Sequence, residues 1–161
     1  MKAAILMGSK SDYPVVQKAE EVFKDFGVEV ETRIISAHRT PNVAADFALK
    51  AEEKGIEVII AAAGKAAHLA GVIAAFTPLP VIAIPIKSST LDGLDSLLSM
   101  VQMPKGIPVA TVAIDGAENA ALLAVQIMGG KYPALRTAMK EYKAKMEQDI
   151  IAADAEFQKS K

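Results

Sequence analysis

The chain has 161 residues, 52% hydrophobic and 23% charged, with 18 basic against 19 acidic side chains and a formal net charge of -1. That length suits a single domain spanning 1–161, and the balanced charge argues against a nucleic-acid partner, whose phosphates need a clear basic excess. The absence of cysteine excludes disulfides, thiolate zinc sites and thiol nucleophiles, and two histidines are too few for a histidine-rich metal site.

The first apolar run, Ala3–Met7, reads as a strand. It stops at the turn Gly8-Ser9-Lys10-Ser11-Asp12, so the amino terminus does not resemble a signal peptide and a cytoplasmic domain is expected. A helix over 14–26 follows, with Val15, Val16, Ala19, Val22, Phe23 and Phe26 at helical spacing and Gly27 as its stop. Strand Val28–Ile35 leads to a helix over 41–54; Pro14 and Pro41 both suit first-turn positions, and Thr40 reads as a plain cap. Strand Glu57–Ala63, a helix over 66–76 and strand Pro80–Ile84 come next. Ala66–Ile86 carries no charged side chain and is long enough to mimic a membrane span, but Pro78, Pro80 and Pro85 would break a spanning helix, so no membrane partner is expected. A helix over 94–102, strand Val109–Ile114 and a helix over 117–129 complete the alternation.

Most of these strands are continuously apolar, the mark of strands covered on both faces. Strand–helix alternation of this kind predicts an α/β fold, a parallel sheet between helices, with its core over about 1–130. The tail differs. Pro133 opens a helix over about 133–158 with one stripe of Leu135, Met139, Tyr142, Met146, Ile150, Ala153 and Phe157. It either closes its own domain or crosses to a neighbouring subunit, and with the apolar 66–76 helix it favours a homo-oligomer.

In an open parallel sheet, ligands bind outside the carboxyl ends of the strands. Strand one runs into Gly8–Asp12, strand two into Ser36-Ala37-His38-Arg39-Thr40-Pro41, and strand three into Gly64-Lys65-Ala66-Ala67-His68. Gly8–Asp12 is a small-residue turn feeding a helix amino terminus, suited to an anion; Asp12 reads as a helix cap, as an acceptor for sugar hydroxyls, or both. Arg39 offers a donor fork for phosphate or carboxylate, or a surface salt bridge. His38 is the side chain near this edge that exchanges protons easily near neutral pH, unless it is a structural histidine bonded to backbone. No Ser-His-Asp set, glutamate pair or metal-ligand set is visible by spacing. The expected site is a phosphate-and-hydroxyl pocket with one proton-transfer residue and no metal, which favours an isomerase or lyase acting on a phosphorylated metabolite.

G-S-K-S-D, S-A-H-R-T-P, A-A-H-L and the run Asp95–Ile114 resemble the bacterial N5-carboxyaminoimidazole ribonucleotide mutases of purine biosynthesis, in order over roughly residues 3–130. The resemblance implies a flavodoxin-like three-layer sandwich with a five-stranded parallel sheet. It also implies a homo-octamer with sites at subunit contacts, a ribonucleotide substrate, and no cofactor. The implied reaction moves a carboxylate from the exocyclic nitrogen of an aminoimidazole ribonucleotide to ring carbon C4, through trapped carbon dioxide. His38 matches the general acid–base residue; Ser9, Ser11, Asp12, Ser36 and Arg39 match substrate-binding positions. Gly64, His68 and Leu69 match the loop facing the migrating carboxylate, with His68 alternatively a buried structural histidine, and Ser88–Gln102 matches a region near the site and the oligomer contacts.

The chain departs from that pattern. Lys65 stands beside the carboxylate pocket where the mutases carry glycine, Ala70 replaces a proline, and Ala62 replaces a glycine. A lysine at 65 strains the loop if that position needs positive φ, and its cation either holds the carboxylate or points to solvent. The related carboxylase branch, which uses free carbon dioxide, tends to carry arginine there, lysine at the place of Arg39, and lacks His68. Carboxylase activity is therefore the alternative, and a non-catalytic nucleotide-binding module on the same fold is the second alternative.

Overall fold

The computed structural model describes residues 1–89 and 91–161. Five parallel strands, β1 (Lys2–Met7), β2 (Glu29–Ile34), β3 (Val58–Gly64), β4 (Val81–Ile86) and β5 (Ala110–Thr111), lie in the order β2-β1-β3-β4-β5. This is the doubly wound flavodoxin-like arrangement, in which the chain reverses its direction of travel across the sheet at β1 and β3. The helices are α1 (Tyr13–Asp25), α2 (Pro41–Leu49), α3 (Leu69–Phe76), α4 (Leu94–Val101), α5 (Ala117–Met128) and α6 (Pro133–Lys159).

The three central strands are buried on both faces, which is why they read as unbroken apolar runs. Alternate residues serve the two layers. Ile5, Ile60 and Ile84 pack beneath α1, α5 and the start of α6, whereas Leu6, Ile59 and Ala83 pack beneath α2, α3 and Met100 of α4. Each fully buried Ile or Leu contributes roughly 1.5–3 kcal/mol of burial free energy.

The edges depart from the expected pattern. β2 carries Glu29, Glu31 and Arg33, and Ile34 is exposed, as suits a strand with only one paired side. β4 runs two residues beyond its expected end, through Pro85, because the missing N–H of Pro85 faces the β5 side and leaves the β3 ladder intact. On the β5 side the same proline removes a donor. There the ladder shrinks to two residues, although Val112 N still donates to Ala83 O (3.1 Å) and Asp115 N to Pro85 O (2.9 Å). α2 ends at Leu49 and continues as turns to Gly55, which takes a positive φ of 73°. α3 begins at Leu69 and not at 66, because Lys65 turns the chain through the left-handed region (φ 58°) and the helical ladder opens only with Val72 N on His68 O. Among the described residues, no helix is long and apolar enough to cross a membrane.

Candidate functional site

Three strand ends converge because β2 and β3 flank β1. Ile35 N donates to Met7 O (2.9 Å) and Gly8 N to Ala62 O (3.0 Å), so the loops leave the sheet in step. Past β1, Ser9 caps a 3₁₀ turn, Lys10–Asp12, as a capping box: Ser11 N donates to Ser9 Oγ (3.3 Å), and Ser9 N donates to Asp12 Oδ2 (3.1 Å). Asp12 thus caps this turn and leaves α1 without a side-chain cap. The Ser11 hydroxyl lies 2.8 Å from Ser9 Oγ and 3.2 Å from Asp12 Oδ1. Asp12 is only 7% exposed. Burial pushes its carboxyl above the ordinary value of 3.8, against the hydrogen bonds from Ser11 and Ser9 and the nearby charge of Arg39.

Past β2, Thr40 does not cap α2 through its side chain; its hydroxyl donates to Ser36 O (2.9 Å) and accepts from Ser36 N (3.0 Å), closing the loop on itself. Ser36 Oγ accepts from Arg39 N (3.2 Å) and Nε (3.4 Å), and Arg39 Nη2 donates to Gly8 O (2.8 Å), tying the second loop to the first. Arg39 therefore makes no surface salt bridge among the described residues.

Past β3, Gly64 runs close to β4: a Cβ there would stand 3.4 Å from Ile86 O. Lys65 then takes φ 58°, a conformation that costs a non-glycine residue roughly 1–2 kcal/mol. The turn it makes brings His68 to His38, with Nε2 of His38 2.9 Å from Nδ1 of His68 and the rings edge to face at 5.0 Å. At that contact one nitrogen donates and the other accepts, so the two rings share a single proton. His68 is exposed and not a buried histidine of the core.

His38, Ser9, Ser11, Asp12, Ser36, Arg39, Gly64, Lys65, His68 and Leu69 all line one cavity of about 640 Å³. A fourth strand end contributes Lys87, which the sequence reading did not name, together with Ser88 and Ser89 from the Ser88–Gln102 segment expected near the site. Their loop is held by Lys87 N on Asp115 Oδ1 (2.9 Å) and by the buried Ser96 hydroxyl, shared between Gly93 O (2.8 Å) and Ile86 O (3.0 Å). Lys87 escapes a reading that ends β4 at Ile84; carrying the strand through Pro85 would have pointed to it. Among the described residues, no three His, Asp or Glu side chains are grouped to hold a metal ion.

Fold and cavity together define a doubly wound α/β protein whose strand-end pocket offers hydroxyls, the cations Arg39, Lys65 and Lys87 and a paired imidazole to an anionic small molecule. A family model described as AIR carboxylase matches residues 2–149, and the chain belongs to that family. It is 60% identical over 146 residues to the N5-carboxyaminoimidazole ribonucleotide mutase of Pyrococcus horikoshii, covering 91% of this chain and 82% of that protein. It is 55% identical over 150 residues to the enzyme of that name from Thermotoga maritima, covering 93% and 88%. The crystal structure of Treponema denticola PurE superposes with a TM-score of 0.86 at 32% identity, covering 96% of this chain and 97% of that one.

Proposed function

We propose that this chain interconverts N5-carboxyaminoimidazole ribonucleotide and 4-carboxy-5-aminoimidazole ribonucleotide in purine biosynthesis, as an isomerase. The observation that carries the reading is the 2.9 Å contact between His38 and His68 inside a cavity that also holds Arg39 and the Ser9–Asp12 turn. In this reading Ser9, Ser11, Ser36 and Arg39 take the phosphate, and the Asp12 carboxylate accepts from the ribose hydroxyls. Gly64, Lys65, His68 and Leu69 form the wall beside the imidazole.

His38 moves the proton. It protonates the exocyclic nitrogen as the N–C bond of the carbamate breaks and carbon dioxide leaves. Ring carbon C4 then attacks that carbon dioxide, and His38 takes the C4 proton, so the histidine ends as it began. Its Nε2 faces His68; Nδ1 has no hydrogen-bond partner among the described residues and is the nitrogen available to substrate. A closed site excludes water and keeps carbon dioxide beside C4 between the two steps. No metal or cofactor enters the scheme. The relatives carry the names of enzymes, which leaves a non-catalytic nucleotide-binding module without support. The working assembly in this reading is a cytoplasmic homo-octamer.

The cation at Lys65 favours one competing reading, carboxylation by free carbon dioxide. The two are separated by N5-carboxyaminoimidazole ribonucleotide labelled at its carboxylate, supplied with excess unlabelled bicarbonate and no ATP. Label retained in the early product, above a no-enzyme control, is the expected result. Lost label with continued product formation would replace the mutase with the carboxylase.

A further inference from the structure

Lys65 is a conformational misfit that the fold keeps. Of the ten cavity residues named from the sequence, it is the one non-glycine residue in the left-handed region, with φ 58°. Glycine occupies that region at no steric cost, and no side-chain hydrogen bond or ion pair among the described residues holds the lysine there. Backbone geometry thus gives no reason for a lysine at this turn. What the lysine adds is an exposed, unpaired ammonium on the cavity wall.

Two other cations line the cavity, and both are engaged: Lys87 pairs with Asp92 (3.4 Å), and Arg39 is held by backbone and serine oxygens. Arg39 directly follows His38, is braced by Ser36 Oγ of its own loop and is drawn toward the β1 loop through Gly8 O. Lys65 lies three residues before His68, on the loop leaving β3. Arg39 and Lys65 therefore stand on the two loops that also carry the paired imidazoles, one cation to each loop. A ligand with a phosphate at one end and a carboxylate at the other presents anions to both.

Resting on the functional reading above, we propose that the Lys65 ammonium recognises the substrate's carboxylate and lets the site tell carboxylated ribonucleotide from its decarboxylated counterpart. The test titrates 4-carboxy-5-aminoimidazole ribonucleotide and 5-aminoimidazole ribonucleotide into the unaltered chain, Lys65→Gln and Lys65→Gly, by calorimetry. Both ligands carry the phosphate; only one carries the carboxylate. Both variants are expected to bind the carboxylated ligand about tenfold more weakly, the size of one lost charge-assisted hydrogen bond, and the decarboxylated one within about twofold of the unaltered chain. Lys65→Gly is also expected to melt about 2–4 °C higher, since it relieves the turn, whereas Lys65→Gln is not. Equal losses for both ligands would make Lys65 a phosphate contact, and no loss would make it a surface lysine; either overturns this proposal alone. An unaltered chain that binds neither ribonucleotide would overturn the functional reading and this proposal with it.

Discussion

The hydrogen bond between His38 and His68 gives the second histidine a definite task, because a base that must both give and take a proton needs one tautomer held in place. If His68 Nδ1 donates to His38 Nε2, an asparagine at 68 can imitate that donor and an alanine cannot. His68→Ala is expected to lower kcat by roughly tenfold or more with a smaller change in KM, and His68→Asn to recover part of it. His38→Asn is expected to bind ribonucleotide while losing at least about a hundredfold in interconversion; normal turnover in that variant would end the acid–base assignment. Asp12 makes a prediction of the opposite kind. Its folded pKa is raised by burial, so the native state holds a proton that the unfolded chain releases near 3.8, and stability falls as pH rises through the window above that value. Asp12→Asn has no such window. Relative to the unaltered chain its melting temperature should improve between pH 3 and pH 7, while its ribonucleotide affinity drops. The strand-end loops, with Asp12, His38 and Arg39 on them, were legible from residue type, whereas Gly64, His68 and Leu69 were named as a carboxylate-facing loop through the family resemblance. The partners these residues find were not legible. Thirty positions separate His38 from His68, and only the placement of β2 and β3 on either side of β1 brings them together.

Element boundaries follow donors more closely than hydropathy. β4 passes through Pro85 because the missing N–H faces away from β3, β5 is short on the side where that donor is lacking, and the left-handed turn at Lys65 delayed α3. Neither effect changes the apolar pattern, so the runs alone placed these elements a few residues out. The junction before α6 depends on a different device. Glu57 Oε1, just before β3, accepts from Lys131 Nζ and from Tyr132 OH (2.7 Å), while its Oε2 is buried with no partner among the described residues. Burial works against the ionised carboxylate, but the bonds from Lys131 and Tyr132 outweigh it and hold the pKa below the ordinary 4.5. A lowered folded pKa contributes stability above the unfolded value and loses it as pH falls through the folded one. Glu57→Gln is therefore expected to melt about 2–4 °C lower at pH 7, a loss of roughly 1 kcal/mol, with the deficit vanishing in acid. A deficit that persisted unchanged at pH 2.5 would mean that the carboxylate's charge contributes nothing to holding α6.

At the scale of the whole molecule, the layers, the strand count and the long tail helix were legible because two-sided burial and helical spacing are properties of the chain itself. What the surface is for was less so. Leu94, Leu98 and Val101 form an exposed apolar row along α4, and Met146, Ile150 and Phe157 another along α6. Only Leu135 and Met139 of α6 are buried, and Tyr142 meets Phe26 at 5.8 Å between ring centroids. Rows of this kind suit contact with further copies, as the proposed octamer requires. Leu98→Asp is expected to lower the mass seen by light scattering, and an unchanged mass would take α4 out of the contacts. The free part of α6 also governs how such a measurement must be read. From Lys143 to Lys159 it extends roughly 24 Å, against a radius of gyration of about 15 Å for a compact chain of this length. A solitary copy would tumble and diffuse as an elongated body with high friction, so its elution volume would mimic that of a larger sphere. Assembly would fold those rods against neighbours and give a particle whose drag per unit mass is lower than that of its parts.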